Sequence, residues 1–247
     1  MVELFFEIHS GIPRQGPGSI ESTRKAFSLI KDLPKEPRIL DIGCGPGKQT
    51  VELAKISGGK VTGMDNHEPF LEEFKKNIEN EGLSGKVDIA TGDMSNLPFP
   101  KESFDLIWAE GSIYIIGVAE GLKHWKEHLK PNGYIVFTEL SWLKDKQPKE
   151  VRGFWTSQYP GIRTVEGNIK RIQESGFDVL DTFILPEKDW FDDYYTPLEE
   201  RIKLYHAKYA RDREKSEFIE DIYAEIPMYR KYSEYYGYVF YITRKRQ

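Results

Sequence analysis

Residues 38–47, Arg38-Ile39-Leu40-Asp41-Ile42-Gly43-Cys44-Gly45-Pro46-Gly47, hold the reading that decides the fold. Arg38 to Ile42 is a short apolar run stopped by glycines, which reads as a buried strand. The glycines allow a tight turn and let a ligand approach the backbone. Gln49 to Ser57 follows with helical spacing, Val51, Leu53, Ala54 and Ile56 being apolar, and Gly58-Gly59 closes it. A helix that starts there offers free N–H groups and a partial positive charge. In an open α/β sheet this turn is the usual binding crevice.

The same alternation continues outward. Lys60 to Met64 reads as a second strand ending at Asp65. Pro69 to Asn80 has helical spacing through Phe70, Leu71, Phe74 and Ile78, with Gly82 as terminator. Val87 to Ala90 is a third strand, followed by Gly92-Asp93, and Phe104 to Ala109 a fourth. Val118 to Leu129 is helical, Pro131-Asn132-Gly133 is a turn, and Tyr134 to Leu140 is a fifth strand rich in β-branched and aromatic residues. Upstream, Ile8 to Gly18 is a Gly/Pro-rich lead-in. A helix follows it, capped by Ser19 or Ser22 and ended by Pro34 and Pro37. Downstream the pattern loosens through 142–155, then Val165 to Ser175 is helical and Phe177 to Leu185 a sixth strand. Pro186 to Tyr235 is aromatic-rich, with Leu198, Ile202, Tyr205 and Tyr209 on one helical stripe and Phe218, Ile219, Ile222, Tyr223 and Ile226 on another. Gly237 to Thr243 is the final strand. Strand and helix in alternation predict an α/β protein, a mostly parallel sheet with helices on both faces. We expect one domain over 1–247, divided into a lead-in at 1–36, a ligand-binding core at 37–140 and a helical cap inserted at 186–235.

Composition narrows the function. The 35 basic and 40 acidic residues give a net charge of −5, which does not suit a nucleic-acid binder. Arg244-Lys245-Arg246 is the only tight basic cluster and reads as a solvated C-terminus. No apolar run approaches the roughly 18–20 residues needed to span a membrane. Met1 to Ser10 carries Glu3 and Glu7 and lacks a basic n-region, so it does not read as a secretory signal. A single cysteine, Cys44, excludes an internal disulfide and a multi-cysteine zinc site. A cytoplasmic setting is the expectation. His124 and His128 stand at i, i+4, but Trp125 occupies the position where a zinc protease helix needs Glu, so no metal is expected.

The glycine spacing narrows the ligand. A dinucleotide fingerprint is G-x-G-x-x-G, and its third glycine would fall on Lys48. No phosphate loop with Gly-Lys-Ser/Thr is present. Asp41 would repel a phosphate but suits the ammonium of a zwitterionic amino acid. Asp65, with Asn66 beside it, ends the second strand where an acidic residue takes a ribose diol. Asp93 can accept from an adenine amino group and Met94 can lie on the ring. Cys44 is expected to pack beside the ligand. Amino acid, ribose and adenine together describe S-adenosylmethionine.

On these residues the chain resembles class I S-adenosylmethionine-dependent methyltransferases, closest to the small-molecule branch of ubiquinone/menaquinone-type enzymes. The resemblance is carried by residues 41–47, 61–65 (Val-Thr-Gly-Met-Asp), 92–99 (Gly-Asp-Met-Ser-Asn-Leu-Pro-Phe), 103–107 (Ser-Phe-Asp-Leu-Ile) and 129–134 (Leu-Lys-Pro-Asn-Gly-Tyr), in order across about 38–140. Asn132 departs from the second glycine common in that last turn, yet Asn tolerates the same geometry. The resemblance implies a Rossmann-like seven-stranded sheet with the last strand antiparallel. It implies Gly43, Gly45 and Gly47 against the methionine part, Asp65 on the ribose, and Asp93 and Met94 on the adenine. The loop Glu110-Gly111-Ser112-Ile113-Tyr114 would face the methyl group, and Arg14-Gln15-Gly16-Pro17-Gly18 would close over the cofactor, placing Gln15 and Gly18 at it.

The expected reaction is SN2 methyl transfer to a small-molecule acceptor. Alignment of nucleophile, methyl carbon and sulfur can supply roughly 7–11 kcal/mol. Glu110 and Tyr114 are the candidate bases, with Tyr195 and His206 behind them, and Glu110 alternatively binds cofactor or backbone. Glu139 is read as a structural hydrogen-bond partner before a substrate contact. Trp190, Tyr194 and Tyr195 line a substrate pocket or fill the cap core. An NAD(P)-dependent oxidoreductase conflicts with Lys48. A non-catalytic cofactor-binding module fits the long aromatic cap less well. A DNA amino-methylating enzyme would show Asn/Asp-Pro-Pro-aromatic where Ala109-Glu110-Gly111-Ser112 stands. Protein methylation and a homodimer stay open.

Overall fold

The computed structural model describes residues 1–246. Strands β1 (Arg38–Ile42), β2 (Lys60–Asp65), β3 (Val87–Thr91), β4 (Phe104–Ala109) and β5 (Leu129–Trp142) pair in parallel. Helices α3 (Lys48–Ile56), α4 (Glu68–Asn80) and α5 (Val118–Trp125) lie between them. The sheet order is β3-β2-β1-β4-β5-β8-β7, where β7 is Phe177–Ile184 and β8 is Tyr236–Lys245. β8 runs antiparallel to both β5 and β7, so the last strand is inserted against the direction of the rest. Among the described residues, the one addition to the expected seven strands is β6, the two residues Arg163–Thr164, paired with the end of β5.

Alternate residues of each strand feed opposite layers. Ile39, Val61, Trp108 and Val136 pack with Leu53 of α3 and Phe74 of α4 on one face. Leu40, Ile107, Ile135 and Phe137 pack with Leu122 and Trp125 of α5 on the other. The strand order reverses at β1, between β2 and β4, and opens a crevice at the C-terminal strand ends.

Five elements differ locally from the sequence reading. β5 begins at Leu129, five residues early, because Asn132 adopts φ 61° and forms a bulge against β4 instead of ending the pairing. α5 stops at Trp125 and tightens into a 3₁₀ turn over Lys126–His128. Residues 2–9 form a helix, α1 (Val2–His9), that buries Leu4 and Ile8, four apart on one face. The loosened stretch after β5 contains α6 (Lys149–Gln158), which buries Val151 and Trp155. α2 (Ile20–Ser28) is capped by Ser19, whose side chain accepts from the Ser22 N–H, and it ends well before Pro34. α7 (Val165–Glu174) precedes β7.

Between β7 and β8 run α8 (Lys188–Trp190), a π turn over Phe191–Tyr195, α9 (Thr196–Lys208) and α10 (Arg213–Tyr232). Leu198, Ile202, Ile219 and Ile226 face inward onto Trp142, Trp155, Trp190 and Tyr236, forming a third apolar cluster. Tyr223, predicted on the inner stripe, is 41% exposed. Among the described residues no helix is long and apolar enough to cross a membrane.

Candidate active site

The turn after β1 folds as the glycines dictate. The N–H groups of Gly43 and Cys44 both donate to the Met64 carbonyl, at 2.8 and 3.0 Å, tying the loop to the end of β2. Gly43 has φ 73°, and a Cβ there would lie 2.4 Å from Ser112 Cβ, so the loop can pass residue 112 only with glycine. The Asp65 carboxylate is fixed from both sides. Its Oδ2 accepts from Gly45 N–H and its Oδ1 from His67 N–H, each at 2.9 Å.

These elements wall a crevice of about 280 Å³. Gly43 to Pro46, Met64 to Asn66, Asp93, Met94, Gly111, Ser112 and Tyr114 line it, as do Glu110 and Gln15. The predicted positions Gln15, Gly43, Cys44, Gly45, Asp65, Asn66, Asp93, Met94, Glu110 and Tyr114 are thus brought together. Asp93 also caps its own turn, its Oδ1 accepting from the N–H and hydroxyl of Ser95, which holds its carboxyl below the usual range. Cys44 is buried, and burial pushes its thiol well up, so it is inert packing beside the crevice.

Several expectations are corrected. Trp190 and Tyr195 are fully buried and Tyr194 nearly so, and none of the three lines the crevice. Trp190 stacks on Tyr229 at 3.9 Å between ring centroids, and the Tyr195 hydroxyl donates to Glu225 at 2.6 Å. They form the cap core, because large rings stacked on each other bury more apolar surface than a pocket wall would. Asp41 lies behind the loop. It is fully buried, accepts from the Thr50 hydroxyl, and has no partner for Oδ1. Burial raises its carboxyl to about 7. Gly47 faces the interior, where a Cβ would sit 1.9 Å from the Phe74 ring. Gly18 backs onto Arg14 instead of the crevice, and its N–H donates to the Asp189 carbonyl at 2.9 Å.

Glu110 is committed elsewhere than to proton transfer. Its Oε2 pairs with Arg14 Nη1 at 2.9 Å, and its Oε1 accepts from the Thr23 hydroxyl at 2.7 Å and the Trp108 indole N–H at 2.8 Å. Both side chains of the ion pair are nearly inaccessible, at 4% and 2% exposure. The pair ties the lead-in to the end of β4. Glu139 is likewise internal, its Oε1 accepting from the Tyr159 hydroxyl at 2.6 Å, and burial raises its carboxyl to about 7.

Sequence reasoning missed Phe5, Phe6, Pro13 and Phe70 as crevice residues. Phe6 stacks on His67 at 3.7 Å, and His67 meets Phe70 edge to face, so α1 is clasped across the crevice. The available signal was the i, i+4 apolar pair Leu4 and Ile8, which marks 2–9 as an amphipathic helix rather than a free end.

Residues 39–133 match the family described as a methyltransferase domain. The chain is similar to methyltransferase GfsG of Streptomyces halstedii, 28% identical over 155 residues, 61% of this chain and 56% of that protein. It is also similar to sterol 24-C-methyltransferase ERG6A of Gibberella zeae, 31% identical over 180 residues, 68% of this chain and 46% of that protein. The chain therefore spans about half the length of these curated relatives. Among solved structures it resembles an SAM-dependent methyltransferase from Geobacter sulfurreducens in complex with S-adenosyl-L-homocysteine. The TM-score is 0.83 at 21% identity, covering 99% of this chain and 98% of that one. At that identity the likeness shows the fold.

Proposed function

We propose, from the premise that this chain carries a class I S-adenosylmethionine-dependent methyltransferase domain, that it binds S-adenosylmethionine in the crevice and methylates a small-molecule acceptor. The observation that carries the reading is the glycine turn at the β1 switch point, facing the fixed Asp65 carboxylate across one crevice. Each Asp65 oxygen already accepts one N–H and keeps a further lone pair, which suits two vicinal ribose hydroxyls. Asp93 and Met94 would take the adenine, and the loop at Gly43 to Gly45 the methionine part. When bound, the cofactor supplies an electrophilic methyl group on a sulfonium.

The chain's own residues then have three tasks. The Arg14–Glu110 pair holds residues 12–18 against the crevice and excludes water. The β4 loop, Glu110 to Tyr114, sets the direction of approach. Tyr114 stands on the wall where the acceptor enters, and Glu110 acts as a positioning residue for the lead-in. The same reading treats 1–247 as one catalytic unit, with the 186–235 insertion as a lid over the acceptor side. One buried thiol suits a reducing, cytoplasmic setting.

The test is a label-partition assay. Purified protein is mixed with methyl-labelled S-adenosylmethionine and a cell extract, then separated into small-molecule, lipid, protein and nucleic-acid fractions. Label in the small-molecule or lipid fraction is the expected outcome. Label confined to protein or nucleic acid overturns the acceptor class.

A further inference from the structure

We propose, resting on the methyltransferase reading above, that the acceptor is an uncharged apolar molecule, seated on the cap side of the crevice between Phe5 of α1 and the Tyr114–Ile115 turn after β4.

Two neighbouring residues of α1, both lining the crevice, divide it into two sides. Phe6 turns to the β2 side, where its ring stacks on His67 at 3.7 Å and meets Phe70 edge to face at 5.7 Å between centroids. Phe5 turns to the cap. Its ring stacks on His9 at 4.0 Å, and His9 lies 6.2 Å from Tyr194. The sheet order makes the same division. β2 and β3, with Asp65 and Asp93 at or just beyond their ends, lie on one side of β1, and β4 lies on the other. After β4 the short turn Ile113–Ile115 buries Ile113 completely and so points Tyr114 and Ile115 outward. The Tyr114 ring is backed by Tyr159 at 6.0 Å.

The residues left on this side are apolar and open. Phe5, Tyr114 and Ile115 all line the crevice and are 38%, 42% and 61% exposed. Large apolar side chains gathered at the mouth of one cavity mark a place where an apolar ligand is covered. Charge is already spent. Among the described residues five charged side chains line the crevice, Arg14, Lys48, Asp65, Asp93 and Glu110. Arg14 and Glu110 are closed on each other at 2.9 Å, and Lys48 is paired with Asp193 at 2.7 Å. Asp65 and Asp93 lie on the cofactor side.

This balance decides the class of acceptor. A charged molecule entering between Phe5 and Ile115 would lose hydration and meet no counter-ion. An uncharged apolar molecule gains there in proportion to the area it covers. Length and shape of its apolar part should therefore set affinity, with the reacting atom at the end that reaches inward past Tyr114.

The experiment uses the full chain saturated with S-adenosylhomocysteine, whose own affinity is first measured by calorimetry for each variant. N-phenyl-1-naphthylamine, an uncharged fluorophore, is bound and then displaced by 1-hexanol, 1-octanol, octanoate or octylammonium at neutral pH. Octanol should displace it at least about fivefold better than hexanol, because two more methylenes are covered. Octanoate and octylammonium should be at least about tenfold weaker than octanol. Ile115→Ser, at a largely exposed position, should about halve the octanol-to-hexanol ratio, and Phe5→Ala added to it should bring the ratio below about twofold. The ratio compares two ligands on one protein, so a general loosening of α1 or of the cofactor site weakens both alike and cancels. Leu180→Ser, on the exposed edge strand β7, should keep the native ratio. A native ratio near one, charged chains that compete as well as octanol, absence of fluorophore binding, or a ratio that survives both substitutions would overturn the proposal. If the native chain fails to bind S-adenosylhomocysteine, the methyltransferase reading falls instead. The chain-length ratio, measured without it, then still decides the apolar site.

Discussion

At the residue scale, two carboxylates 24 positions apart do opposite things. Asp65, on the crevice, is held by two backbone N–H groups and presents its remaining lone pairs outward. Replacing Asp65 by Ala should weaken S-adenosylmethionine binding by about 1–3 kcal/mol, read by calorimetry. An unchanged affinity would remove Asp65 from the cofactor site. Asp41, one layer behind, is raised to about 7 by burial, and Glu139 is raised to the same value. Over the window from about pH 4 to 7 the folded state keeps protons that the unfolded chain has released. Those two groups therefore make stability fall as pH rises through that window. Buried His9 works the other way. Its folded value is about 4, so its contribution is lost as pH falls from 6.5. Two groups against one should leave a net decline between pH 5 and 7. Asp41→Asn should flatten it by up to roughly 4 kcal/mol, seen as converging melting curves. Parallel curves for the two proteins would contradict the burial argument. The sequence announced both aspartates, but which oxygen faces a ligand depends on the loop that lies between them.

At the element scale, the lead-in lies at the crevice while the cap aromatics pack into their own core. Residues 12–18 are tied down by a buried ion pair, and α1 supplies Phe5 and Phe6 to the crevice. Arg14→Ala would leave Glu110 charged and unpaired in the interior, at a cost of about 3–5 kcal/mol. Amide exchange in residues 10–18 should then accelerate, and Arg14→Ala with Glu110→Gln should recover part of the loss. No recovery in the double variant would mean that the pair is not what holds the segment. The cap, by contrast, spends Trp190 and Tyr195 on its own core. Strands β1 and β4 and helix α4 were legible to within a residue because their apolar period and their glycine stops agree. β5 was misjudged at its start, since a Pro-Asn-Gly stretch forms a bulge when a neighbouring strand continues to pair with it.

At the scale of the whole molecule, the crevice joins the ends of β1 to β4 with a helix from the far N-terminus. A ligand bound there should stabilise the molecule as a unit. At about 100 times its dissociation constant, S-adenosylhomocysteine should add about 2.7 kcal/mol, or very roughly 5–10 °C in melting temperature. Absence of any shift at saturating concentration would count against the crevice as the cofactor site. The sequence by itself determined the alternation of strands and helices, the glycine turn at the switch point, and Asp65 and Asp93 at strand ends. These are local properties, set by period, backbone freedom and position within an element. Only the tertiary structure decided that Glu110 belongs to Arg14, that Asp41 is walled off, and that α1 closes the crevice. Each of those is a contact between segments far apart in the chain. The packing of buried charge and aromatic area selects such contacts, and no local pattern encodes them.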